Sequence, residues 1–285
     1  MTRKSLFHFA LVGLLWGIPY LLMKVAVEDF PPAAVVAGRT LIGASILIPI
    51  AIYRKKFGGA VLGFKYVAFY ALMEMIGPWI LITTAEQKIN SGLAGLLVST
   101  VPIFATIITS LRGDHSVWQF KRILGIVVGF IGLILVVGIE SLSGNSDPLS
   151  IAMVIVASMG YAYAVIMVTT NLPLVDGIAI NGLAMAITTV FWAPVAIAQW
   201  PSSISMNSAL SLIALGIFST ALAFILFFKV MAEIGPARSS LVTYLNTAIA
   251  VLLGVIILRE PLTVGIIVGL PLVLVGSYLA SKKTA

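Results

Sequence analysis

Residues 208–228 read SALSLIALGIFSTALAFILFF and contain no charged side chain. The hydrocarbon core of a bilayer is about 30 Å thick, and a helix of about 20 apolar residues crosses it. A strand is disfavoured, because apolar and polar residues do not alternate with period two, and a helix satisfies its backbone hydrogen bonds within one segment. The stretch therefore predicts a transmembrane helix.

Nine further stretches have the same character, and together the ten fill almost the whole chain. Hydrophobic residues make up 60% of the 285 positions, charged residues only 9%, and the mean hydropathy is +1.14. A soluble domain carries about 25% charged residues, so a soluble globule is excluded. The predicted fold class is all-α, a polytopic membrane protein with ten transmembrane helices, at residues 6–26, 33–53, 64–85, 90–111, 122–139, 149–169, 178–199, 208–228, 237–258 and 262–280.

The basic residues lie in short clusters between the apolar stretches. A net charge of +7 on one folded face would suggest nucleic acid, but this scattered pattern predicts no nucleic-acid partner. With the N-terminus in the cytoplasm, most basic residues lie inside and most acidic residues outside, as the positive-inside rule requires. We therefore expect both termini in the cytoplasm. The inner basic residues are then Arg3, Lys4, Arg54, Lys55, Lys56, Lys65, Arg112, Lys121, Arg122, Lys229, Arg238, Lys282 and Lys283, and the outer acids are Glu28, Asp29, Glu86, Glu140, Asp147 and Glu260.

Comparison of the chain with itself indicates two related halves, residues 1–142 and 143–285, that together form one transmembrane domain. A shift of 144 residues places Gly125 and Gly132 on Gly269 and Gly276, and a shift of 147 residues superposes further positions of the fourth and ninth spans. Five spans that begin inside finish outside, so the second half is expected to cross the membrane upside down. Inverted repeats of this kind place a binding site near the midplane and permit two mirror-related packings, one open to each side.

Three ionisable residues lie within or just inside the spans, namely Lys24, Arg39 and Glu74. An ionisable side chain inside a membrane has to pair or to face water, which makes it a candidate for a site. Lys24 is also compatible with a structural role, since its side chain can snorkel to the outer interface. A structural Arg39–Glu74 pair, a clamp for a substrate carboxylate and a proton-carrying Glu74 are all compatible with the sequence.

Small and polar residues recur on single helix faces in both halves. Any one such face is typical of a helix-packing seam. The whole set favours a shared cavity that is charged on one side and neutral polar on the other. The candidate substrate-binding residues are Tyr20, Lys24, Arg39, Glu74, Ser99, Tyr163, Thr243, Tyr244 and Asn246.

Motifs of enzymes and channels are missing from the sequence. It contains no HExxH, no GxSxG, no Walker-type loop and no clustered His, Asp and Glu residues, so we predict no catalytic residue, no metal site and no cofactor. Without cysteine there is no disulfide and no thiol catalysis. An ion channel is disfavoured, because no acidic ring or filter-like loop is present.

Several sequence features match a known family. They are Trp16-Gly17 with Lys24 in the first span, Pro32 followed by Arg39 in the second, and Arg259-Glu260-Pro261-Leu262-Thr263 ahead of Gly269 and Gly276. Together with the ten spans, they resemble the EamA-type drug/metabolite transporters, and among these the chain looks like the YddG-type exporters of aromatic and other neutral amino acids. The resemblance implies a basket of ten helices in the inner membrane of a bacterium, with the fifth and tenth spans peripheral and eight helices around a central cavity. The first half departs from the pattern, since Arg112-Gly113-Asp114-His115 stands where the second half has Arg-Glu-Pro-Leu.

The expected function is a secondary transporter that exports small amphipathic metabolites, above all amino acids, by alternating access. The lipid bilayer and the small-molecule substrate are the expected partners, and the pathway fits within one chain, as in a monomer. A broad drug or nucleotide-sugar carrier is an alternative, although the latter needs more cations for phosphate groups. A scaffold or receptor that transports nothing is another.

Overall fold

The computed structural model describes residues 2–113, 119–142, 147–235, 239 and 241–281, with the side chains of 137–142 and 281 left undescribed. Within these ranges every regular element is a helix, which confirms the predicted all-α class. The predicted boundary between the halves adjoins residues 143–146, which lie outside the described residues. Also outside them are Asp114, His115, Arg238, Lys282, Lys283 and the side chain of Glu140.

The helices begin and end close to the predicted spans. They are α1 Arg3–Ala26, α2 Pro32–Tyr53, α3 Phe57–Leu62, α4 Phe64–Ala71, α5 Gly77–Ala85, α6 Ser91–Val98, α7 Val101–Leu111, α8 Phe120–Leu142, α9 Pro148–Asn171, α10 Gly177–Ala198, α11 Met206–Ala214, α12 Ala223–Ile234, α13 Val242–Ile256 and α14 Val264–Ser281.

Among the residues that the structure describes, seven helical segments are long and apolar enough to cross a membrane. They are Arg3–Ala26, Pro32–Tyr53, Phe64–Ala85, Ser91–Leu111, Pro148–Asn171, Gly177–Ala198 and Met206–Ile234. Two shorter apolar helices, Val242–Ile256 and Val264–Ala280, and the helix α8 cover the other three predicted spans. The count of ten crossings therefore stays a prediction.

Two of the long segments contain π-helical turns. Leu72–Ile76 joins α4 to α5, and Leu215–Leu222 joins α11 to α12. Pro78, at the start of α5, has no backbone N–H to donate to the preceding turn, so a wider turn ahead of it avoids a lost hydrogen bond. Single π turns in α-helices occur frequently at functional sites. Both segments occupy the third helical position of their half.

The fourth predicted span is broken rather than continuous. The helix α6 ends at Val98 and α7 begins at Val101, with Pro102 in its first turn. The hydroxyls of Ser99 and Thr100 donate to the carbonyls of Leu96 and Leu97, both at 2.6 Å. These side chains satisfy backbone groups at the break, which unpaired would be costly in an apolar environment.

Helices in corresponding positions of the two halves pack against each other in antiparallel pairs. Thr40 of α2 meets Thr189 of α10 through their hydroxyls at 2.8 Å, while Gly43, further along α2, lies against Met185, which comes earlier on α10. The pair α8 and α14 is tighter, because a Cβ on Gly276 would collide with the backbone of Gly129. A third pair is α6 with α13.

The ends of the helices form two chemically different ends of the bundle. At one, which we name the basic end, α1 begins, α2 ends near Arg54 and α12 ends, and His8 lies 3.3 Å from Glu233. At the other, the acidic end, the turn after α1 contains Glu28 and Asp29. Contacts at each end join helices that are distant in sequence.

Candidate substrate site

The centre of the site is Arg39, which is 6% exposed and lies two turns into α2. Its Nε and Nη2 atoms donate to the hydroxyl of Thr220 at 3.3 and 3.2 Å. Its guanidinium carbon lies 3.8 Å from the centroid of the Trp79 ring. A cation over the face of a desolvated tryptophan gains about 2 kcal/mol from the ring quadrupole. Three segments, α2, α5 and the second π segment, therefore hold the guanidinium in place.

The positive charge of Arg39 is not neutralised by a carboxylate. Among the described residues, no Asp or Glu oxygen lies within 4.0 Å of it, so the structural pair with Glu74 is absent. A third donor, Nη1, contacts the thioether sulfur of Met23 at 3.6 Å, a weak acceptor. Since a guanidinium has five N–H donors, Arg39 keeps capacity for an anionic ligand.

Glu74 lies in the first π segment and has no cationic partner within 4.0 Å in the described residues. Its Oε2 atom is buried and accepts no hydrogen bond. The side chains of Tyr70 and Tyr161 lie close to Glu74, and Tyr161 also lies close to Arg39. A buried acid without a donor is costly, which argues for a functional rather than a packing role.

Two long-range hydrogen bonds fix the helices around Glu74. The hydroxyl of Tyr70 donates to Oδ1 of Asn181 at 3.1 Å, joining α4 to α10. Nε1 of Trp192 donates at 3.1 Å to the carbonyl of Ile76, the last residue of the first π segment. The π segment is therefore held by α10 on one side.

A pocket of about 650 Å³ lies at the basic end, between the end of α2, the start of α10 and α12. Two aromatic residues of α12, Phe224 and Phe228, form a short aromatic stripe that lies in the sequence between Thr220 and Lys229 of the pocket lining. Phe224 stacks on Phe228 at 6.3 Å, and Trp16 packs edge-on against Phe224 at 5.6 Å. The pocket is lined by Arg54, Asp176, Gly177, Ile178, Ile225, Phe228, Lys229, Met231 and Ala232.

A smaller pocket lies at the acidic end. It has a volume of about 220 Å³ and is lined by Lys24, Val27, Glu28, Glu86 and Gln87. Here α1 packs on α6, where a Cβ on Gly95 would come within 3.4 Å of the Tyr20 ring. At the basic end, by contrast, α4 and α7 pack on α9, while α12 packs on α1 and α10.

The predicted residues of the first half are divided between two places. Arg39 is the centre of the site, and Tyr20 lies near it. Glu74 lies near Tyr161, which is also near Arg39. Lys24 donates from Nζ to the backbone carbonyls of Glu86 and Ile89 at 2.6 and 2.8 Å, in agreement with the structural alternative. The hydroxyl of Ser99 is used at the helix break, as described above.

The predicted residues of the second half do not join the cluster. Tyr163 is 38% exposed and packs edge-on against Phe69 at 5.9 Å. Thr243 and Asn246 lie on α13, where they accept hydrogen bonds from Thr247 through a backbone carbonyl and Oδ1. Tyr244 packs against Tyr278 of α14 at 6.3 Å. Their role as substrate-binding residues stays a prediction.

Sequence reasoning missed the neutral partners of Arg39. Trp79, Thr220 and Met23 contact its guanidinium, and Tyr161 takes the place expected for Tyr163. The available signal was the aromatic content at mid-span, which the sequence assigns equally well to packing or to the membrane interface. Nothing in a chain this apolar indicates which face of α9 points inward.

The sequence of the chain is similar to those of known transporters. The model of the EamA-like transporter family matches the chain twice, over residues 3–138 and 148–282. The chain belongs to the EamA-like transporter family. Similar proteins include the uncharacterized transporter YoaV of Bacillus subtilis, 27% identical over 94% of this chain and 93% of its own, and the uncharacterized inner membrane transporter YedA of Escherichia coli, 26% identical over 95% and 90%.

An EamA-family chain of this length also has a structural counterpart. A solved crystal structure matches the fold with a TM-score of 0.65 and covers 98% of both chains at 15% identity, which supports the fold alone. The family membership establishes a multi-pass membrane transporter for a small molecule rather than an enzyme, as the sequence predicted.

Proposed function

We propose that this transporter exports amino acids with aromatic or other apolar side chains, in the manner of the YddG-type exporters. The observation that supports it is that Tyr161 lies near both an unneutralised cation, Arg39, and an unpartnered acid, Glu74, while Trp79 packs on the guanidinium. An amino acid carries complementary groups in one small body. Its carboxylate can form two parallel hydrogen bonds with a guanidinium, and its ammonium suits a carboxylate.

Alternating access is supported by how the halves pack. The family model matches each half separately, and corresponding helices meet as antiparallel pairs. A parallel arrangement of two copies would not produce such pairs around one axis. Residues 1–142 and 143–285 then act as inverted repeats, which suit one central site that opens to either side.

The direction of access follows from the charges. The positive-inside rule puts the basic end in the cytoplasm and the acidic end outside, with both termini inside a bacterial inner membrane. The 650 Å³ pocket then faces the cytoplasm, within the size range of small-molecule sites. Substrate enters there, follows the aromatic stripe from Phe228 to Phe224, and reaches Arg39.

The test is uptake of labelled phenylalanine into proteoliposomes that contain the purified chain. We expect saturable flux, lost by at least about tenfold in Arg39→Ala, because a desolvated charge-assisted contact is worth about 1.5–3 kcal/mol. Arg122→Ala, a basic residue of α8 away from the cluster, is the matched control and should retain flux. Flux of drugs or nucleotide sugars but not of amino acids contradicts the proposed substrate. No flux of any compound, with Arg39→Ala affecting thermal stability alone, favours a scaffold.

A further inference from the structure

The acidic end contains a buried acid that the substrate site does not use. Glu86 directly follows α5 and is 0% exposed. Neither of its carboxylate oxygens has a hydrogen-bond partner in the described part of the chain. A carboxylate normally accepts several hydrogen bonds when it is ionised, so this environment suits the neutral, protonated form.

The nearest cation does not pair with this carboxylate. Lys24 donates instead to the backbone carbonyl of the same residue and to that of Ile89, and no Lys24–Glu86 ion pair lies within 4.0 Å. This contact ties α1 to the turn between α5 and α6. The tie therefore closes the acidic end through the backbone around Glu86 rather than through its charge.

A second acid sits close by and is fully satisfied. Glu260 accepts hydrogen bonds from the backbone N–H groups of Ser91 and Gly92, at 2.8 and 3.2 Å, and from the Ser91 hydroxyl at 2.8 Å. It caps the start of α6 as an anion, as helix N-termini favour. The negative charge of Glu260 opposes ionisation of Glu86. The positive charge of Lys24 favours it.

The other titratable groups described around Glu86 do not neutralise its carboxylate. Tyr20 faces it from α1 as a neutral phenol, and Glu28 lines the same small pocket. Lys88 is engaged with Asp147 at 3.8 Å. Burial, the largest effect, raises the pKa of Glu86 above its ordinary range.

We propose that Glu86 is a proton-binding site that latches the acidic end in its closed form. The inference rests on the alternating access proposed above. A proton from the outer solution binds the carboxylate as α1 closes on α6 and Lys24 reaches the two carbonyls. When the end opens, Lys24 leaves, water reaches the carboxylate, and the proton returns to the outer solution.

The sign of the pH dependence follows from proton linkage. The closed form binds the proton more tightly than the open form, so a fall in pH favours closure and a rise in pH favours opening. Between the pKa values of the two forms, the ratio of open to closed molecules changes by up to about tenfold per pH unit. Outside that window the ratio is constant.

The test measures the opening itself and needs no substrate. The chain has no cysteine, so Glu28→Cys with Gln87→Cys places two spin labels on exposed positions across the small pocket, and also removes Glu28 as a titrating group. Pulsed electron paramagnetic resonance in nanodiscs then gives the distance distribution from about pH 5 to about pH 9, the range in which a raised carboxyl titrates. We expect a short distance at low pH and a growing longer one as the pH rises.

The variant Glu86→Gln tests whether Glu86 is the group whose protonation controls opening. It keeps the shape of the protonated acid, and we expect the short distance at every pH. Glu86→Leu, which also cannot ionise, gives the same readout if the glutamine variant does not fold. Asp147→Asn, which removes an outer acid that pairs with the exposed Lys88 and not with Glu86, is the control and should titrate like the parent.

Two outcomes overturn the proposal: a parent distance that does not change with pH, or a Glu86→Gln variant that opens as the parent does. Failure of the proposed function is a separate result. In that case amino-acid flux is absent while the distances still titrate through Glu86.

Discussion

The two ends of the bundle differ in how tightly their helices pack, although corresponding helices supply both. At the acidic end α1 lies against α6, with Tyr20 next to Gly95. At the basic end the corresponding helices, α9 and the first turns of α13, have no comparable packing in the described residues, and a pocket three times larger is present. Under the alternating access proposed above, this difference corresponds to a contact that is formed at the acidic end and absent at the basic end.

The largest effect is expected when a larger side chain replaces Gly95 at the contact between α1 and α6. In Gly95→Leu the new side chain meets the Ala250 Cβ, which would lie only 2.7 Å from an added Cβ, and the Tyr20 ring. We expect α1 and α13 to be pushed from α6, with a loss of stability of about 1–3 kcal/mol and a more open acidic end. Thermal unfolding and the spin-label distance measure the two effects. Gly58→Leu, at a position with nothing within 4 Å, is the control, and equal losses in both variants contradict the expectation.

A smaller effect is expected from removal of the tie at the same end. Lys24→Met keeps the length of the side chain but leaves the carbonyls of Glu86 and Ile89 without their donor. Loss of a hydrogen bond from a charged group costs about 1.5–3 kcal/mol, less where water replaces it, so the open form should gain population. Labelling of Val27→Cys by a membrane-impermeant maleimide should become faster.

The matched control for this change is Lys88→Met, whose side chain is 62% exposed and pairs with Asp147 at 3.8 Å. An exposed ion pair contributes little. If the control accelerates labelling as much as Lys24→Met, then general loss of positive charge, and not the tie, controls the acidic end.

The smallest effect should come from Asp29, whose carboxylate accepts a hydrogen bond from the backbone N–H of Ser205 at 2.9 Å. The contacts with Ser205 lower the pKa of Asp29 below its ordinary value. The stabilisation is present above the unfolded pKa and is lost as the pH falls through the lower folded one. Asp29→Asn should therefore reduce thermal stability slightly at neutral pH and not at strongly acidic pH, and an equal loss at both would show that charge is irrelevant.

The sequence predicted the helices well and their orientations poorly. Hydropathy sets where a span begins and ends, so the bounds of α1, α2 and α10 agree with the prediction within a few residues. In a chain this apolar, hydropathy does not specify how a helix is rotated about its own axis. The sequence predicts Tyr163 as a substrate-binding residue, yet this side chain is 38% exposed and packs against Phe69, while Tyr161 lies near Arg39.

Local backbone irregularities also escaped prediction. At the break the carbonyl of Ser99 accepts a hydrogen bond from the hydroxyl of Ser277 in α14, and at the π turn the carbonyl of Ile76 accepts one from Trp192 in α10. Composition does not record such partners. Glu260 is part of the family pattern in the sequence, but its role as a cap on α6 is visible only in the fold.

The contact between Gly129 and Gly276 constrains which residues these positions accept. A Cβ on Gly276 would collide with the backbone of Gly129, and one on Gly125 would collide with the backbone of Ala280, so α8 and α14 meet backbone to backbone. A residue larger than glycine at position 125 or 276 would therefore force these two helices apart.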